Sequence, residues 1–209
     1  ADMIFSPEAF ERIIAFSDNN ENAAMFLQCR DLPEGMDDEF VAEHPGEWNT
    51  FEVASQLRPR WGMGGMMAIP REGFLAIRGF DERLHTYGGE DLDFAQRARR
   101  AGYKTQWVDD PKVRMYHMWH TPTASVVAED PVATAAVKAN RNIVYNDKTF
   151  VRNYTNWEFK PQDAPVLVTV AIATKDRADI IGDTIYSVLT QTVQDFEIIV
   201  IDDGGEDNL

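Results

Sequence analysis

The sequence predicts an α/β fold, and three observations carry the prediction. Residues 166–173 read VLVTVAIA, a nearly unbroken apolar run of the kind found in parallel strands buried on both faces. Residues 196–201, FEIIVI, form a second such run, and Ile180, Ile181, Ile185, Val188 and Leu189 recur at helical spacing between them. Earlier in the chain, short glycine-punctuated strands alternate with acid-led helix starts. Strand, helix and parallel strand closing on Asp202-Asp203-Gly204-Gly205 make half of a nucleotide-binding unit, whose ligand sits beyond the carboxyl ends of the strands.

The elements follow in order. Ser6-Pro7-Glu8 starts a helix, with Ser6 as cap, Pro7 at the first helical position and an apolar face of Phe10, Ile13, Ile14 and Phe16. Residues 23–29 read as a short buried strand, and residues 31–49, acidic with Pro and Gly, read as a loop. Residues 51–57 suit a short helix or strand. Residues 113–117 are a strand that points Val113 and Met115 one way and Arg114 and Tyr116 the other. The alanine-rich stretch 128–145 is helical and begins after Glu129-Asp130-Pro131. Residues 151–165, with Lys160-Pro161, read as a linker.

One motif stands out chemically. Gly88-Gly89-Glu90-Asp91 places two flexible residues and two adjacent acids at the mouth of a helix with a basic stretch at 95–101. The free N–H groups and the positive dipole end there keep carboxylates ionised. An ionised carboxylate beside an open glycine-walled space can take a proton from an alcohol. The plainer alternative is helix capping alone.

Composition narrows the field. A net charge of −15 argues against nucleic-acid or anionic-membrane binding through bulk electrostatics. A chain this acidic needs a divalent cation or local basic groups to hold a diphosphate. The single Cys29 excludes an intrachain disulfide and a cysteine-based zinc site, and fits a reducing, cytoplasmic setting or the cytoplasmic face of a membrane. No apolar run is long enough to span a bilayer.

Four motifs then occur in sequence: Trp61-Gly62-Met63-Gly64-Gly65, a short segment ending in Gly79-Phe80-Asp81, the Gly-Gly-Glu-Asp helix, and Tyr116-His117. Over residues 61–120 this order resembles the acceptor half of GT-A (Rossmann-like) nucleotide-sugar glycosyltransferases. The likeness is to family-2 enzymes with a galactosyltransferase-type C-terminal module. Residues 166–209 resemble the opening strand-helix-strand of a family-2 GT-A domain.

The resemblance implies inverting transfer of a sugar from a nucleotide-diphosphate sugar, UDP-linked by the family's habit, to a glycan hydroxyl in bacterial polysaccharide synthesis. It implies Asp91 as catalytic base, Glu90 as the group orienting acceptor hydroxyls, and Trp61, Gly64, Gly65, Gly88 and Gly89 around the acceptor. Asp2, as the second acid of an Asp-x-Asp motif, and His117 would bind Mn²⁺ or Mg²⁺; His120 lies near, but Tyr-His fits the pattern better. Asp203, Thr174, Lys175 and Asp176 would line the nucleotide, with Lys175-Asp176 standing where the family has an aromatic residue.

In the family the Asp-Asp-Gly half precedes the Gly-Gly-Glu-Asp half, and here it follows. One account is the back half of one domain (1–150), a linker (151–165) and the front of a second (166–209), a layout similar to tandem chondroitin-polymerase-like enzymes. The rival is a permuted single domain. A non-catalytic glycan- or protein-binding module is the competing function, and a metal-dependent hydrolase a more distant one. The strands of 166–209 need cover, either from the first domain or from a second copy of the chain, and that cover should bury Ile172, Ile199 and Ile201.

Overall fold

The structure, a computed structural model, describes residues 2–60, 64–155, 157, 166–202, 204–205 and 207. In order come β1 (Met3–Phe5), α1 (Ala9–Asp18), β2 (Ala23–Leu27), β3 (Arg30–Asp31), α2 (Asp38–Glu43) and α3 (Trp48–Ala54). Next are β4 (Gln56–Leu57), β5 (Met67–Ala68), α4 (Arg71–Ile77), α5 (Glu90–Arg100), β6 (Lys104–Val108) and β7 (Met115–His117). Last are α6 (Thr123–Glu129), α7 (Pro131–Asn146), β8 (Val168–Thr174), α8 (Ile181–Leu189) and β9 (Phe196–Asp202).

The strands pair into three sheets, ordered β1-β7-β3-β4, β5-β2-β6 and β8-β9. Parallel and antiparallel pairs mix: β1 runs antiparallel to β7, whereas β3–β7, β2–β6 and β8–β9 are parallel. The α/β class expected from the sequence is what forms. Side-chain alternation then splits the core. On β2, Ala23, Met25 and Leu27 join Phe5, Phe10 and Ile13, while Ala24 and Phe26 face Ile77, Phe94 and Ala98. On β1, Met3 and Phe5 enter the first of those clusters and Ile4 enters a third with Phe51 and Tyr116.

Several sequence expectations change. Ser6 does not cap α1, because its hydroxyl donates to the Lys112 carbonyl (2.8 Å) and accepts from the Arg114 N–H (3.1 Å). Residues 31–49 are not a plain loop: Asp37 caps α2 by accepting from the Phe40 N–H, and α3 begins at Trp48. Residues 51–57 supply both alternatives, the end of α3 and then β4. Part of the expected linker is bound to the body. Arg152 is buried in ion pairs, Asn153 donates to the Arg78 and Phe80 carbonyls, and Trp157 packs on Phe74. Residues 156 and 158–165 of that segment lie outside the described residues.

The C-terminal strand-helix-strand docks on the N-terminal body, chiefly through α8 against β1. Val188 is fully buried in the cluster of Met3, Phe5 and Phe10, with Val170, Phe196 and Ile198 packed against it. Gln191, also buried, accepts from the Phe10 N–H (3.0 Å) and donates to the Ser6 carbonyl (2.9 Å). Burial on both faces does not follow. Ile172 is buried, but Ile199 and Ile201 are exposed, because α8 and the body cover one face of β8–β9 only.

Candidate functional site

The β1–β7 register sets Met3 opposite His117, and the β3–β7 register sets Asp31 beside it. Asp2, one residue ahead of β1, therefore lies at the same sheet end as His117. The turn after β7 returns towards it, with the Met118 N–H donating to the Asp2 carbonyl at 2.8 Å. That turn delivers His120. Three donor atoms converge: His120 Nε2 lies 2.9 Å and His117 Nε2 3.5 Å from Asp2 Oδ2, and the two imidazole nitrogens are 3.1 Å apart.

The outer nitrogens explain this orientation. His117 Nδ1 lies 3.0 Å from Asp31 Oδ1, and Arg58 in turn chelates both oxygens of Asp31. His120 Nδ1 lies 2.7 Å from the Thr121 carbonyl, an acceptor only, so that nitrogen carries the proton. Both Nε2 atoms are thus turned towards Asp2, an orientation typical of metal-binding histidines. Burial works to raise the Asp2 carboxyl, but hydrogen bonds from His117 and His120 outweigh it and hold the group well below the usual carboxylate range. The bond to Asp2 raises His120 above its ordinary value against the effect of burial. Such a set of converging donor atoms suits a cation, either a proton or a metal ion. One carboxylate and two imidazoles, partly open to solvent, fit a divalent ion, and these three residues form a group able to hold one.

The acidic helix start lies on the other side of a glycine pair. A Cβ at Gly64 would sit 3.5 Å from Asp91 Oδ2. One at Gly65, where φ is +122°, would strike Met3 at 2.7 Å and Met115 at 3.0 Å. Gly64-Gly65 therefore fills the space between Asp91 and the strands β1 and β7, and the positive φ at Gly65 favours glycine there. Gly89 (φ +102°) is the N-cap of α5, and beyond the open Gly88 the first turn carries Glu90 and Asp91. Asp91 is half-buried, its Oδ1 accepting from the Leu92 N–H at 2.7 Å. Desolvation, then the neighbouring Asp91 charge, raise Glu90 above the usual glutamate range even though its side chain reaches solvent. The third acid of the helix's first turn, Asp93, turns inward to Arg97 and Arg152 and is structural.

At the carboxyl ends of β8 and β9, Thr174 is buried and its hydroxyl finds no partner among the described residues. Lys175 and Asp176 are exposed, with Asp176 at φ +49°. Gly205 lies so close to this turn that a Cβ would meet the Asp176 N at 3.0 Å. Arg177 then leaves the turn towards the metal-ligand group, its Nη1 4.0 Å from Asp2 Oδ2 and its Nη2 3.5 Å from Thr123 Oγ1. The expected Asp203 and Trp61 lie outside the described residues. The structure brings Asp2 and His117 together as the sequence suggested, and adds His120, Asp31, Arg58 and Arg177. The His117-Met118-Trp119-His120 spacing was the only local hint of the first of these.

Two family models match the chain. The one described as the N-terminal domain of galactosyltransferase matches residues 52–121, which hold Gly64-Gly65, the acidic helix and both histidines. The glycosyl transferase family 2 model matches residues 169–209, which hold β8, α8 and β9. No curated protein matches the chain. With a mixed α/β architecture consistent with the GT-A fold, these two matches support a family-2-like glycosyltransferase.

Proposed function

We propose that the chain performs inverting, divalent-metal-dependent transfer of a sugar from a UDP-sugar to a hydroxyl of a growing glycan. The observation that carries this is the convergence of Asp2, His117 and His120 a glycine pair away from Asp91. A bound Mn²⁺ or Mg²⁺ would neutralise the charge of the leaving diphosphate. Asp2, His117 and His120 would hold that ion, and Asp31 and Thr121 keep the two imidazoles turned towards it. Asp91 accepts the proton of the acceptor hydroxyl as its oxygen bonds to the anomeric carbon. The bond from that carbon to the diphosphate oxygen breaks on the opposite face. Proton transfer coincides with oxocarbenium-like character at the anomeric carbon, so an ordinary carboxylate suffices as base. Glu90 orients neighbouring acceptor hydroxyls, and Gly64, Gly65, Gly88 and Gly89 leave room for the sugar.

Thr174, Lys175, Asp176 and Asp203 serve the nucleotide on this reading. The packing of α8 on β1 and the approach of Arg177 to Asp2 support one donor site shared by the two segments, rather than two separate half-sites. The buried Cys29, its thiol pushed up to about 12 chiefly by desolvation, is compatible with a cytoplasmic setting. No helix among the described residues is long and apolar enough to cross a membrane.

Calorimetric titration with UDP, with and without Mn²⁺, tests the donor half. Binding should require the ion and weaken at least about tenfold in His117→Ala and in His120→Ala. Metal-independent binding, or none, would leave the binding-module alternative. Asp91→Asn tests the acceptor half: transfer should be lost while the fold is kept.

A further inference from the structure

We infer that Asn140, on α7 and beyond the matched galactosyltransferase segment, is the positioning residue that shapes the loop presenting Glu90 and Asp91. The inference rests on the reading of Asp91 as the acceptor-side base. Asn140 is 3% exposed. Its Oδ1 accepts from the His85 N–H at 3.1 Å, and its Nδ2 donates to the carbonyls of His85 (2.7 Å), Gly88 (3.2 Å) and Tyr87 (3.3 Å). One side chain thus meets four backbone groups of a single four-residue stretch.

That stretch needs holding. Thr86, Gly88 and Gly89 all have positive φ, at 68°, 82° and 102°. A non-glycine residue in this region persists only where its surroundings impose it. Residues 85–87 are exposed, so the constraint comes from beneath, from α7. Val144, one turn along from Asn140, adds only a packing contact beside the loop: its Cγ2 would lie 3.2 Å from a Cβ on Gly89. The Gly89 carbonyl then accepts from the Asp93 N–H at 2.8 Å and opens α5. The direction of the first turn, and with it the reach of Asp91 towards Gly64, follows from the loop that Asn140 fixes.

The residue type is restrictive. The site needs an acceptor for an N–H and, at the same point, N–H groups shared among three carbonyls, and at this length only a carboxamide offers both. Aspartate would keep the bond from His85 and set a negative charge against three carbonyl oxygens. Alanine would keep neither.

Residue-resolved amide exchange and carboxyl ¹³C NMR on the full chain test this, with Val144→Ala as a packing control. In Asn140→Ala, exchange at both His85 and Asp93 should accelerate about tenfold or more. In Asn140→Asp, Asp93 should accelerate while His85 stays protected. The Glu90 and Asp91 carboxyl resonances should shift in both variants and not in Val144→Ala, while β1 and β7 amides stay unchanged. Unchanged Asp93 exchange or unshifted carboxyl resonances in the Asn140 variants would overturn the inference. So would the same pattern in Val144→Ala, which would mean that Asn140 only docks α7. The base assignment fails separately, if Asp91→Asn still transfers sugar, and the exchange data would still report on the loop.

Discussion

Asp93→Asn removes one charge from a buried cluster while preserving its shape. Arg97 and Asp93 are 0% and 2% exposed at the side chain and pair at 2.6 Å. Arg152 bonds to Asp93 at 3.2 Å and to Asp81 at 2.7 Å. Arg97 also donates to the Ile77 and Gly79 carbonyls, so it cannot swing out to water without breaking the turn after α4. The four charges of Arg97, Arg152, Asp93 and Asp81 balance, and the substitution leaves two cations against one anion. One pair at about 4 Å between charge centres, in an effective dielectric of about 20, amounts to about 4 kcal/mol. That agrees with the roughly 3–5 kcal/mol seen when one partner of a buried pair is lost. For a chain of this size each kcal/mol moves the melting temperature by about 2–4 °C, so a fall of about 6–20 °C is expected. Calorimetric melts, with urea titrations to confirm an unchanged m-value, would measure it. An Asp93→Asn/Arg97→Met cycle should give a coupling of about 2 kcal/mol or more. A loss below about 1 kcal/mol in Asp93→Asn would refute the claim that this cluster holds α5 to α4.

Three further outcomes are expected. Asp81 and Asp147 are both held below the ordinary 3.8 against burial, Asp81 chiefly by hydrogen bonds from Arg83 and Asp147 by those from Thr149 and then Arg83. Their contribution is complete above that value and lost as pH falls through the lowered folded values, so urea midpoints should stay level towards neutrality and drop below about pH 4. Because the bond to Asp2 raises His120 above its ordinary value and an imidazole must be neutral to bind a cation, Mn²⁺ affinity measured by calorimetry should fall as pH drops through that raised value, and His120→Ala should flatten that dependence. Deleting residues 166–209 uncovers the cluster around Met3, Phe5 and Phe10, so the truncated chain should aggregate or change oligomeric state in light scattering; a soluble monomer with an unchanged melt would show the segment to be an independent appendage.

What the sequence disclosed was local. The acidic start of α5, the Tyr116-His117 strand and the β8-α8-β9 unit are each written in adjacent residues, by glycine placement, alternation and helical spacing. Contacts between distant segments were not legible. Ser6 has every local mark of a cap, yet Lys112 and Arg114 compete for its hydroxyl. α2 is six residues long, too short to show periodicity, and only Asp37 marks its start. His120 gains its meaning from a turn that folds back on Asp2, Asp31 from strand register, and Asn140 from packing of α7 under a loop more than fifty residues earlier. The exposed face of β8–β9 was hidden because apolar runs do not say how many neighbours a strand will have.

The bond from the Phe10 N–H to Gln191 has a kinetic side. A free N–H in the first turn of α1 is satisfied by a residue 181 positions away, where a neighbour normally serves. Closure over such a separation comes late in folding and slows it, because chain entropy must be lost before the contact forms. Until then α1 frays at its start and the apolar side of α8 stays uncovered. The same two surfaces exist on every copy, so nascent chains at high concentration can exchange partners before each finds its own. Refolding yield should therefore depend on dilution more steeply than for a domain whose helix ends are closed by their neighbours.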